Sequence, residues 1–386
     1  MSRTGRARPN QWTERAGRAA FRFAVPRLGR VYESLSPGLR ALSERFDVSG
    51  YDDCAASFRG GDMPSLVHLS YEKSLQHLWK SEVLAPWLGI HDASADDRRA
   101  LAAADHLPSS AIEDVPLETI RDEVERELSP AKRFALCRIM DLIVHGEAYA
   151  LYTSATLLPE VRGTGAKLGM AMQTMEEAKH FVVLRALMRA IGDVQPLPDT
   201  ARIMLDTIAR QKGHMKLFGM NVLVESLATS IFAQFADYPG LRHVLGAFHT
   251  DESRHCGFPK SYFATGVVPE HVTRSLLYRM NRTRIVLSAL PVIWEVKPHF
   301  DVLGIDAFDL FGRFVSKAGR LAEASGMPLV WPRKELEQRI DLLFNAWRES
   351  FEPERFTGWV SYTSLERRER LSPVCAEREA AVFGIA

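Results

Sequence analysis

Two short segments of this chain pair a carboxylate with an imidazole one helical turn away: Glu177-Ala-Lys-His180 and Glu252-Ser-Arg-His255. Residues at i and i+3 of a helix share a face, so each pair can grip one metal ion. Either motif alone is weak, because Glu and His are common on solvated helix faces. Two lone glutamates sharpen the pattern. Glu147 stands 30 residues ahead of Glu177, with the turn-forming stretch Pro159–Gly165 midway, and Glu225 stands 27 ahead of Glu252, with Tyr238-Pro239-Gly240 midway. In an antiparallel helix hairpin, residues equidistant from the turn come level, so each hairpin sets one Glu opposite one Glu/His pair. Two such hairpins place four carboxylates and two imidazoles at one height, the ligand set of a di-iron or di-manganese carboxylate centre.

The neighbours of the lone glutamates decide between core and surface. Met140, Ile143, Val144 and Leu151 share the helical face of Glu147, and Phe218, Val222 and Phe232 that of Glu225. A carboxylate in an apolar stripe is costly to bury unless a cation compensates it. A buried salt bridge would do so, but these faces offer few basic partners. Carboxylate and imidazole ligands without cysteine suit iron or manganese and disfavour a structural zinc site or an iron–sulfur cluster. Glu176 and Asp251 each precede a motif histidine by four residues, so each is placed to accept that histidine's second N–H. Thr229 lies one turn after Glu225, where its hydroxyl either reaches the metal pocket or bonds back to its own helix.

The elements that must hold these groups read as helices. Ser129-Pro130 opens one over 130–158, ended by Pro159. Others follow over 166–191, 199–236 and 240–257, the last stopping near Pro259, and then over 269–290, 301–324 and 333–350. Residues 65–90 form a helix or helix pair, and 36–62 are irregular. No alternating β pattern of any length appears, so the chain is all-α, a four-helix bundle at about 130–260 with flanking helices. The stretch Gly163-Thr-Gly-Ala-Lys-Leu-Gly169 fits no nucleotide-loop spacing and reads as the turn between the first two bundle helices.

Composition bounds the rest. The 386 residues carry a formal net charge of +1, which offers nucleic acid no general attraction. No apolar run reaches the roughly 18 residues of a membrane span. Cys54, Cys137, Cys256 and Cys375 form no CxxC pair, which suits a reducing cytoplasm. The first forty residues hold nine arginines against Glu14 and Glu33, and read as a basic extension ahead of one helical domain over 41–386.

Taken together, Glu147, Glu177-x-x-His180, Glu225 and Glu252-x-x-His255 resemble the ferritin-like di-iron carboxylate superfamily. Its members include multicomponent monooxygenases, acyl-carrier-protein desaturases, arylamine N-oxygenases, ribonucleotide reductase small subunits and bacterioferritins. Asp251-Glu-Ser-Arg-His-Cys-Gly-Phe258 is similar to the second motif of the oxygenase and desaturase branches and of the aerobic magnesium-protoporphyrin ester cyclases. The resemblance covers about residues 130–260. Leu184 occupies the place of the reductase subunit's radical tyrosine, and Phe248 that of the N-oxygenases' extra histidine, with His249 one residue out of register. About 130 residues on each side exceed what storage proteins need, and Thr229 matches a threonine of the monooxygenases. The resemblance therefore implies an O2-activating di-iron oxidoreductase, foremost a monooxygenase (hydroxylase or N-oxygenase) of an organic substrate. An acyl-carrier desaturase and an iron-handling ferroxidase or storage protein are the alternatives. Two iron ions, or a Mn/Fe pair, would be the cofactor. With no flavin, nicotinamide or iron–sulfur motif in the chain, a separate ferredoxin or reductase would supply electrons. A carrier protein for the basic arm and a homodimer are further expected partners.

Overall fold

A computed structural model describes residues 116–364, apart from 193 and 243. The basic extension, the segments at 36–62 and 65–90, Cys54 and Cys375 lie outside the described residues. Helices and turns account for all of the described secondary structure, and there is no strand among these residues.

A short helix α1 (Leu117–Glu127) leads into the long α2 (Pro130–Leu157). The start of α2 follows its sequence signal: Ser129 Oγ accepts from the Lys132 amide while Pro130 occupies the first turn, where an N–H would go unpaired anyway. Its end is closed by Lys167, whose ammonium donates to the carbonyls of Leu158, Pro159 and Val161. The chain turns at Gly163 (φ 86°) and returns as α3 (Thr164–Ile191), packed along α2.

The segment read as one helix over 199–236 is two. α4 (Asp199–Ala209) ends, and α5 runs over Gly213–Phe235. The break sits where Gly213, flanked by Arg210-Gln211-Lys212 and His214, takes φ 47° and its amide donates to Glu160 Oε2 at 2.6 Å, so the glycine marks a true boundary. Within α5, residues Phe218–Val224 wind as a π-helix and Glu225 opens the α-helical remainder. By length and composition α5 could cross a membrane, but 94% of its apolar window is buried in the bundle.

Helix α6 (Leu245–Ala264) starts later than expected and passes through Pro259 rather than stopping there. A proline in a helix deprives the carbonyl four residues earlier of its donor. That carbonyl belongs to His255, and Asn221 Nδ2, from the π-helical stretch of α5, donates to it at 3.0 Å. The helix survives its proline because a neighbour supplies the missing hydrogen bond.

Helices α2, α3, α5 and α6 form the bundle: α2 pairs with α3, α5 with α6, and α3 lies against α6. The α3–α6 contact is close at Gly169, where a Cβ would sit 2.7 Å from the Phe258 ring. After a turn at Glu270–Thr273 come α7 (Leu276–Ser288), α8 (Leu290–Leu303), α9 (Ala307–Ala324) and α10 (Arg333–Phe351). α8 fills the span between the segments expected at 269–290 and 301–324, which the sequence reading left without a helix, and Pro291 sits in its first turn, where a missing N–H is tolerated. α8 packs on α2 and α9 on α5, so the flanking helices shield the bundle on one side through Phe300, Phe308 and Phe311.

Candidate metal centre

The six candidate ligands converge from four helices: Glu147 from α2, Glu177 and His180 from α3, Glu225 from α5, Glu252 and His255 from α6. All are buried, at 4% exposure or less. They divide into two overlapping groups, Glu147/Glu177/His180/Glu252 and Glu177/Glu225/Glu252/His255, each with its donor atoms within 4.8 Å of one another. Glu177 and Glu252 belong to both groups. Each group could hold one ion through one unshared glutamate and one imidazole, and Glu177 and Glu252 would be available to both. Carboxylates and imidazoles converging from four packed helices are the donor set that could hold two metal ions in a bundle core.

The donors fit metal ions better than they fit each other. His180 Nδ1 lies 2.8 Å from Glu252 Oε1, 3.4 Å from Glu147 Oε2 and 3.7 Å from Glu177 Oε2. His255 Nδ1 lies 2.8 Å from Glu252 Oε2, 3.1 Å from Glu177 Oε1 and 3.7 Å from Glu225 Oε1. Yet the buried oxygens Glu177 Oε2 and Glu252 Oε1 accept no hydrogen bond. His255 Nδ1 does bond to Glu252 Oε2, but around His180 the carboxylates approach closely without alignment, as ligands aimed at a common third centre do. Two divalent ions would also neutralise four carboxylates that burial otherwise makes costly.

Without ions, the cluster must hold protons. Burial first, and then the charge of Glu252, push Glu147 and Glu225 well above the usual carboxylate range. Burial alone would discharge the two histidines, but Glu252 together with the surrounding carboxylates raises both well above the ordinary imidazole value. Burial would raise Glu252 and Glu177 too; for Glu252 the facing His255 charge, and for Glu177 the His255 charge and histidine hydrogen bonds, win and keep both low.

The outer nitrogens of the imidazoles reveal a crossing. Position in the sequence pairs Glu176 with His180 and Asp251 with His255, four residues along each helix. Instead, His180 Nε2 meets Asp251 Oδ2 at 3.2 Å and His255 Nε2 meets Glu176 Oε2 at 2.9 Å, each across the α3–α6 contact. The carboxylate four residues back points away from its own helix toward the neighbour. Asp251 is held at about 2, because burial, which raises it, is outweighed by His180 and Arg254; as an anion it accepts the His180 N–H. Each Nδ1 is thereby left for a metal. Arg254 joins the two halves, donating to Glu176 Oε1 at 2.7 Å and to Asp251 Oδ1.

Two contributors lie outside the motif. Gln173, one turn before Glu177, donates from Nε2 to both Glu177 and Glu225 at 3.2 Å. Asn221 holds the Gln173 side-chain carbonyl at 2.7 Å as well as the His255 backbone. Gln173 was discoverable from its i,i+4 spacing; Asn221 was not, because the π-helix that aims it has no sequence signature here, though such insertions recur at functional sites. Thr229 is buried, and its hydroxyl donates to the Ser226 carbonyl at 3.1 Å. Phe248 packs its ring 4.3 Å from that of His180, so no seventh ligand stands there, and Leu184 is fully buried.

A narrow cavity of about 30 Å³, room for a diatomic gas or a few waters, opens between α2, α4 and α5. Leu142, Ile143, Ala150, Met204, Leu205, Met220, Val224, Leu227 and Ala228 line it together with Gly146, and its acidic members are Glu147 and Glu225. The two terminal glutamates thus border the cavity, whereas the shared pair faces the α3–α6 side.

No family model matches the chain, and no curated protein matches it. Similar solved structures include two variants of an R2-like ligand-binding oxidase with an aerobically reconstituted Mn/Fe cofactor. Each shows 14% identity over 73% of this chain and 92% or 93% of its own, with TM-scores of 0.41 and 0.39. So slight a likeness bears no weight beside the geometry of the site.

Proposed function

We propose that this chain is an O2-activating dimetal oxidoreductase, a monooxygenase of an organic substrate, holding two iron ions or a Mn/Fe pair on Glu147, Glu177, His180, Glu225, Glu252 and His255. The observation that carries the reading is the cavity: it is apolar and meets the site at Glu147 and Glu225. When bound, the ion pair supplies the two electrons and the Lewis acidity that dioxygen reduction requires.

The chain's residues do the rest. Gln173 fixes the carboxylates of Glu177 and Glu225 relative to each other. Glu176 and Asp251 lock the imidazoles with Nδ1 inward. Phe248 and the aliphatic cavity wall keep water from the reacting atoms, so an oxidising equivalent is spent on the substrate rather than on solvent.

An iron-storage role fits less well, because an ion path needs polar side chains and this cavity is lined by Leu, Ile, Met and Val. The test is anaerobic reduction of the iron-loaded protein followed by rapid mixing with O2. The expected result is a transient visible absorption within seconds, with one labelled oxygen from 18O2 in the product of an accepted apolar substrate. Mineral accumulation far beyond two irons per chain would instead favour storage.

A further inference from the structure

The solvent side of the two Glu-x-x-His helices carries charge of one sign. Every carboxylate on α3 and α6 (Glu176, Glu177, Asp251, Glu252) is buried, while Lys167, Lys179, Arg185, Arg254 and Lys260 are half-buried or exposed. Acidic α1 covers one end of this surface: it packs on α3 and reaches Gly240 and Arg242 just ahead of α6. The rest of the surface is shallow. On α6, Gly246, Thr250, Gly257 and Ser261 follow one another along the outer face, and space is open where Gly246 and Gly257 would carry a Cβ. Met175 of α3, 40% exposed, provides an apolar contact among the cations.

A second observation connects this face to the chemistry. Arg254, its side chain 17% exposed, bonds both to Glu176, the partner of His255, and to Asp251, the partner of His180. Both imidazoles are therefore one carboxylate removed from a single cation that touches solvent. On the opposite sides, α8 and α9 lie over α2 and α5. Among the described residues, the α3–α6 face is where a redox partner can come within a single helix layer of the centre.

We propose that the outer α3–α6 face around Arg254 is the docking surface for an acidic one-electron carrier protein, which delivers electrons through the Glu176–His255 and Asp251–His180 pairs. The proposal rests on the dimetal oxidoreductase reading above. Two successive deliveries balance the step: each oxidises one reduced [2Fe–2S] cluster, and together they take the metal pair from two M3+ to two M2+. Complementary charge raises the encounter rate and makes it fall with salt.

The test uses the full-length chain and an acidic [2Fe–2S] ferredoxin as probe, with Lys260→Glu and Met175→Glu as variants and Lys334→Glu, exposed on α10, as an equal charge change elsewhere. Two quantities are measured: affinity for the ferredoxin, with and without metals, and the rate at which reduced ferredoxin reduces the oxidised centre. Dithionite with methyl viologen serves as the small-molecule comparison. The expected result is a loss of about tenfold in affinity and rate for Lys260→Glu and Met175→Glu, little change for Lys334→Glu, and unchanged dithionite reduction throughout. Equal losses in all three variants would overturn the surface. Unchanged but salt-sensitive binding would do the same and transfer the interaction to the arginine-rich residues 1–40. If ferredoxin bound as expected but dithionite reduced nothing in the wild type, the redox reading would fall and the delivery step with it.

Discussion

At the scale of residues, the decisive feature is the unequal standing of the four glutamates. Glu177 and Glu252 belong to both donor groups, Glu147 and Glu225 to one each. Substituting a shared carboxylate should therefore cost both ions, whereas a terminal ligand should cost one. Metal analysis after anaerobic loading is expected to find close to none in Glu177→Ala and about one per chain in His255→Ala; two ions retained in either would refute the assignment. Protons compete with the ions. Glu147, Glu225, His180 and His255 all hold protons more tightly in the metal-free fold than in an unfolded chain. Their contribution to metal-free stability is complete below their unfolded values and lost as pH rises through the folded ones. Metal binding displaces those protons, so it grows stronger over the same range. The melting-temperature gap between loaded and metal-free protein should widen from about pH 6 to about pH 8. A gap that narrows over that range would contradict the proton inventory. The six ligands are legible in the sequence because hairpin symmetry sets them level. The crossed carboxylates were not, because i,i+4 spacing states which face a residue is on and not which helix it turns toward.

At the scale of elements, the bundle depends on two irregular stretches that compensate each other. Pro259 strips the His255 carbonyl of its donor, and the π-helix before Glu225 brings Asn221 to replace it. Replacing Asn221 with Ala leaves that carbonyl and the Gln173 oxygen short of a buried partner, at a cost of about 1–3 kcal/mol. Adding Pro259→Ala restores an N–H four residues after His255 and should recover part of the loss. Denaturant unfolding of the two single variants and the double variant gives the coupling; strict additivity would show that the two irregularities are independent. These same features explain where helix boundaries resisted sequence reading. A proline usually ends a helix, and only a neighbouring side chain overrides it. The Gly213 break, by contrast, had a signal in the sequence, a glycine after the polar run Arg210-Gln211-Lys212.

At the scale of the whole molecule, the centre is placed asymmetrically. The flanking helices α8 and α9 lie over α2 and α5, the apolar cavity enters beside α4, and among the described residues the cationic α3–α6 face lies at the surface. On the proposed function, dioxygen would approach from the side of Glu147 and Glu225, and electrons from the side of Arg254. Fold class and the bundle's extent could be read in the sequence, because long helical periods survive substitution. The cavity and the one-signed face could not, since both depend on how helices distant in sequence are stacked. The account stands on two ions held side by side and sharing carboxylates, and anaerobic Fe2+ titration followed by O2 and electron paramagnetic resonance tests this directly. It should show a break at about two irons per chain and, after oxidation, a magnetically coupled, resonance-silent pair bridged by Glu177 and Glu252. A break at one iron, or the signal of isolated Fe3+, would contradict it.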